Sequence, residues 1–211
     1  MTPSRPLTYT VEAYNVSHAS ENKIHDDAVA KKLGFTGGLV PGVEVFAYAT
    51  HPVVAAWGRD WLDSGWMEAR FMKPVYDGRE AVVTSVGEGD GLSLKVESIR
   101  ELCATGRAFR SAPADAGPEA RRPSIADYPV RRPPSSDDRP KADTTSLAAG
   151  TVHCANPVHV TPALAADYLR DVREALPLYA RDGVVHPGLI LRQCNMALRD
   201  NVLLPPWIHT G

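Results

Sequence analysis

The chain has 211 residues, 44% of them hydrophobic and 23% charged, with a formal net charge of −2 and a pI near 6.4. Those totals fit one large domain or two small ones with a packed core, and they exclude a surface built mainly for nucleic acid or for a membrane. Three dispersed cysteines, Cys103, Cys154 and Cys194, lack C-x-x-C spacing; this argues against a disulfide framework or a zinc site and places the chain in the reducing cytosol.

Residues 7–16, "LTYTVEAYNV", are rich in β-branched and aromatic side chains and predict a strand. In "HDDAVAKKLGF", Asp26 or Asp27 can cap a helix of about two turns that Gly34 ends in a left-handed residue. After the loop "TGGLVPG", apolar residues fall at Val43, Phe46, Ala47, Thr50, Val53, Val54 and Trp57. That spacing predicts a helix buried on all sides, with a kink or tightened turn at Pro52, which removes a hydrogen bond to Tyr48. Residues 66–110 change period. "WMEARFMKPVY", "EAVVTSVGEG", "LSLKVESIREL" and "ATGRAFRSA" predict three or four antiparallel strands punctuated by glycine. A curved sheet wrapped around one central helix satisfies this order.

Residues 111–150 hold seven prolines and few large apolar side chains, the composition of an extended or partly disordered linker. Residues 151–211 start again. "VHCANPVHV" reads as a strand, Thr161-Pro162 caps a helix through "ALAADYLRDVREA", and a second helix follows over 188–202. "GLVPGVEVFAYAT" and "GVVHPGLILRQCN" both place Pro-Gly at a helix mouth after a Gly and two aliphatics, a weak internal repeat. The division is therefore a first unit over 1–110, a linker over 111–150 and a partial second unit over 151–211. The last helix lacks wrapping strands and needs a cover from its own first unit or from another chain.

"ENKIHDDAVAKKLGFTGGLVPGV" together with "EARFMKPVYDGREAVV" resembles the MaoC-like, (R)-specific enoyl-CoA hydratases, a hotdog-fold family. Their motif runs roughly Asp-x-Asn-x-[Ile/Leu]-His-x-Asp, a short helix, a glycine-rich loop and the central helix. A strand opening on Arg-Phe-x-x-Pro-Val-x-x-Gly comes later. Asn22, Ile24, His25 and Asp27 match the first part, Gly42 matches the helix-opening glycine, and Arg70, Phe71, Pro74, Val75 and Gly78 match the strand. The resemblance covers about residues 7–110 and implies an α+β hotdog fold with a partial second hotdog unit. Two positions depart from it: Ser20 stands where the family has its catalytic Asp, and Pro41 stands where a His usually precedes the helix glycine.

The chemistry so implied adds water to a 2-enoyl thioester, or eliminates it from a 3-hydroxyacyl thioester. CoA thioester is the substrate and there is no cofactor or metal. Such a reaction needs a positioned base and donors aimed at the thioester oxygen. His25 is the candidate base, disfavoured as imidazolium by the positive start of the short helix. Asn22 shapes the water site, Ser20 and Glu21 occupy the region of the missing carboxylate, and Pro41, Gly42 and Val43 form the oxyanion side, where glycine lets the thioester approach. A histidine or asparagine beside a helix cap also serves structure alone. Two alternatives stand beside the hydratase. One is a non-catalytic hotdog that binds acyl-CoA or completes a partner subunit; the other is a thioesterase using Glu44 on the central helix. Assembly as a homodimer or hetero-subunit, through the sheet edge and 151–211, is expected.

Overall fold

The computed structural model describes residues 5–17, 20–113, 124–128 and 131–205. Five strands form one antiparallel sheet: β1 (Leu7–Glu12), β2 (Trp66–Phe71), β3 (Glu80–Glu88), β4 (Gly91–Ser98) and β5 (Glu101–Phe109), in the order β1-β3-β4-β5-β2. Across the sheet lies α2 (Gly42–Ser64), preceded by the short α1 (Asp27–Lys32). This is the hotdog arrangement. Alternation along β3 and β4 turns Ala81, Val83, Ser85, Leu92, Leu94 and Val96 inward. They meet Val45, Tyr48, Val53, Trp57 and Trp61 of α2. Each large apolar side chain buried there contributes about 1.5–3 kcal/mol, so the sheet and α2 depend on one core.

Two expectations need correction within this unit, and one choice is decided. β1 stops at Glu12 rather than at residue 16, because Ala13 and Asn15 turn to bond with the segment before β3: Ala13 N–H donates to Arg79 O, and Asn15 N–H to Asp77 Oδ1 at 2.7 Å. Of the two candidate caps of α1 it is Asp26 that serves, its carboxylate accepting from Val29 N–H at 2.9 Å. The break in α2 is at Gly58 (φ 61°, ψ −144°), not at Pro52. Proline's own φ is helical, so the helix runs through it at the loss of one hydrogen bond; the Gly58 conformation is one that glycine alone adopts readily.

The C-terminal segment forms α3 (Pro162–Asp171), α4 (Leu178–Asp182) and α5 (Pro187–Asn201). Thr161 caps α3 with Pro162 in its first turn, as expected. The strand expected from "VHCANPVHV" does not form. Residues 151–160 have no ladder partner and are mostly exposed, and Pro157 removes a donor that a ladder would use. α5 packs directly on α2, so the two helices of the internal repeat cover each other. Among the described linker residues, Arg139 and the Lys141–Leu203 bridge tie the chain back to α5 and its exit.

Candidate functional site

The segment between β1 and α1 is built around a buried asparagine. Asn15, 2% exposed, donates through Nδ2 to the His25 carbonyl at 2.7 Å and accepts from Ser17 N–H at 2.9 Å. Gly38 closes on the same point: a Cβ there would lie 2.8 Å from the His25 carbonyl oxygen and 3.2 Å from Asn15 Nδ2. The main chain of His25 is thus clamped from both sides. Its ring is fixed as well. Nδ1 lies 2.7 Å from the Leu39 carbonyl, which can only accept, so Nδ1 carries the proton. Nε2 is therefore the unprotonated nitrogen, accepting from the Asn22 amide nitrogen at 3.4 Å.

His25 and Asn22 line a cavity of about 400 Å³. Pro41, Gly42 and Val43 form the adjoining wall where α2 begins. The first main-chain bonds of α2 run from Glu44 N–H and Val45 N–H to Pro41 O. The amides of Gly42 and Val43 precede them and have no acceptor within the helix. The positive end of α2 and a lone pair on imidazole thus share one space.

The carboxylates near His25 are engaged elsewhere. Glu21 accepts from Arg139 at 2.9 and 3.3 Å, and that hydrogen bond holds its carboxyl below the usual range. Asp26 caps α1, while Asp27 pairs with Lys31 and accepts from Gly38 N–H. Ser20 Oγ donates to the Asn22 carbonyl at 3.1 Å, closing a turn.

The opposite wall comes from the second segment and was not anticipated. Arg192, Asn195, Met196 and Arg199 of α5, with Asp171 at the end of α3, face the same cavity. Arg192 grips Glu44 of α2, Nε at 2.8 Å and Nη2 at 2.6 Å from Oε1, and reaches Asp171 at 3.6 Å. Its guanidinium lies over the Tyr168 ring, 4.4 Å from the centroid. Glu44 is 1% exposed; burial raises its carboxyl pKa against the pull of Arg192. In sequence the one signal was the spacing 192, 195, 196, 199, a single helical face. Its partner on α2 lies 148 residues away.

A second polar cluster joins the halves beneath α2. His186 caps α5, its Nδ1 accepting from Gly188 N–H at 3.0 Å. The opposite nitrogen then carries the proton and faces Thr50 Oγ1 at 3.3 Å. Burial pushes His186 down to about 4. Glu174 accepts from His51 Nδ1 at 2.9 and 3.0 Å. Burial alone would raise Glu174, but the bonds from His51 and from Leu176 N–H outweigh it and hold the carboxyl low.

No protein-family model matches the chain, and no curated protein does. Among solved structures it is similar to an (R)-hydratase from A. caviae involved in PHA biosynthesis, with 17% identity over 50% of this chain and 92% of that one (TM-score 0.38). It is similar to an R-hydratase from Pseudomonas aeruginosa, with 17% identity over 51% and 79% (TM-score 0.38). A third likeness is to the ChsH1–ChsH2 complex from Mycobacterium tuberculosis, with 13% identity over 50% and 93% (TM-score 0.39).

Proposed function

We propose that the chain is a hotdog acyl-CoA hydratase or dehydratase of the MaoC-like type. The observation that carries this reading is one cavity holding both the unprotonated Nε2 of His25 and the two leading amides of α2. In the hydration direction, Nε2 takes a proton from water while the oxygen bonds to C3 of the enoyl thioester. The displaced π electrons move to the thioester oxygen, which the Gly42 and Val43 amides stabilise. The imidazolium then returns its proton to C2, so one water has been added and His25 is restored. Asn22 holds the ring and the water, and Lys73, which lines the cavity and pairs with Glu101 at 2.7 Å, would trade that partner for a CoA phosphate.

A second reading rests on a specific observation: Ser20 replaces the family's acid, and Glu21, its neighbour, is taken by Arg139. It makes the chain an acyl-CoA-binding hotdog that completes a partner subunit, with β1 and β2, the two end strands of the sheet, as the docking sites. The thioesterase reading is weaker because Arg192 occupies Glu44, the carboxylate it would need.

The test uses the purified full chain and crotonyl-CoA. Loss of the enoyl-thioester absorbance without release of free thiol supports the hydratase, and thiol release supports the thioesterase. CoA-thioester binding without turnover selects the second reading. Absence of both binding and turnover rejects all three.

A further inference from the structure

Building on the acyl-thioester reading, we infer that the acyl chain this cavity accepts carries a neutral hydrogen-bonding substituent, such as a hydroxyl, which meets Arg192 and Asn195 on α5.

The face that α5 turns to the cavity is polar at three of its four positions, Arg192, Asn195 and Arg199 against Met196. A helix covering a plain alkyl chain puts apolar residues on that side. Arg192 is also a prepared donor rather than a loose surface charge. Its side chain is only 23% exposed, and it is held by Glu44, by Asp171 and by the Tyr168 ring. Two carboxylates already answer its charge, so the group fits a neutral oxygen better than an anion. Arg199 is likewise answered by Asp200. Asn195 lines the same wall one turn away, and its amide carries both donors and an acceptor, so a substrate hydroxyl can join the bonding it already has.

Position within the cavity points to the acyl end. Glu21, which lines the cavity with a side chain 61% exposed, marks the rim. Glu44, 1% exposed, marks the inner end, and Arg192 lies against it. An alkyl chain threaded to that end would strip water from Arg192 and replace it with nothing. Sites built to hydrogen-bond a substrate hydroxyl reject the analogue lacking it far more strongly than apolar pockets reject an extra one.

The experiment is calorimetric titration of the full chain with saturated six-carbon acyl-CoA, and with the same thioester bearing one hydroxyl on each of its three distal carbons in turn. Saturated chains cannot be hydrated, so binding alone is read, and the shared pantetheine arm cancels in the comparison. At least one hydroxylated chain is expected to bind about tenfold or more tighter, a difference of about 1.4 kcal/mol. That preference should disappear in Asn195→Leu, at a half-buried position, and in Arg192→Met if that variant folds. Equal or tighter binding of the plain chain overturns the inference while leaving the acyl-thioester reading in place. Binding of none of the four overturns both.

Discussion

His25 and the asparagines around it show how a single ring is set. Asn15 fixes its main chain, Leu39 its tautomer, and Asn22 stands beside the nitrogen that is left. His25→Gln should therefore lower the hydration rate by about 100-fold or more, the usual contribution of a positioned base, with the urea midpoint little changed. Ser20→Asp is expected to do the opposite and raise turnover about tenfold. Its carboxylate is repelled by the Asn22 carbonyl that Ser20 now contacts, and so turns toward the water site. Steady-state rates on crotonyl-CoA check both. Asn22, His25 and Gly42 were singled out by the resemblance of one continuous stretch to a known motif, and all three line one cavity. The pairing of Glu44 with Arg192 was not, since its two members lie 148 residues apart. Asn15 gave no signal at all: its role depends on Gly38 and His25 closing over it.

At the scale of elements, the sequence showed each long one and misjudged several ends. The β4–β5 connection is the clearest case. "VESIREL" has no glycine or asparagine, so the sequence reads as one continuous run, yet Ser98 pairs with Glu101 and the chain reverses at Ile99 and Arg100, both at positive φ (52° and 62°). A two-residue hairpin needs that conformation to match strand twist, and a β-branched residue adopts it at a cost. Replacing Ile99-Arg100 with Asn-Gly should stabilise the protein by about 1–2 kcal/mol, read as a higher urea midpoint at unchanged slope. The contact of α2 with α5 makes the reverse prediction. A Cβ on Gly188 would lie 2.1 Å from the Tyr168 hydroxyl and 2.9 Å from Ala47 Cβ. Gly188→Ala should destabilise by about 1–3 kcal/mol in the same measurement. The internal repeat foretold both helices but not that they would face each other, because a pattern in one segment does not name the surface it meets.

For the whole molecule, the seam of His186, Glu174, Thr50 and His51 couples stability to pH. An unfolded histidine titrates near 6.5, while His186 in the fold titrates at about 4. Between those values the unfolded chain binds more protons, so stability falls as pH drops through that window. The shift corresponds to roughly 3 kcal/mol for His186. Glu174, held low in the fold, is likewise protonated more readily when unfolded and adds loss in the same direction, at the acid end of the range. Tyr168 and Tyr179, which flank the His186 ring, stay neutral throughout because burial raises both. Urea midpoints between about pH 7 and 4 should decline steadily, and His186→Asn, which can still cap α5, should flatten the decline. The second segment was read from sequence as a strand and two helices, the last in need of cover; the strand does not form, and the cover is α2 of the same chain. The cavity between them therefore has one wall from each end of the polypeptide, joined covalently through the linker. Walls tethered in this way meet at an effective concentration fixed by the chain rather than by the solution. Dilution cannot draw them apart, and ligand affinity per molecule should hold constant down to the lowest protein concentration that can be measured.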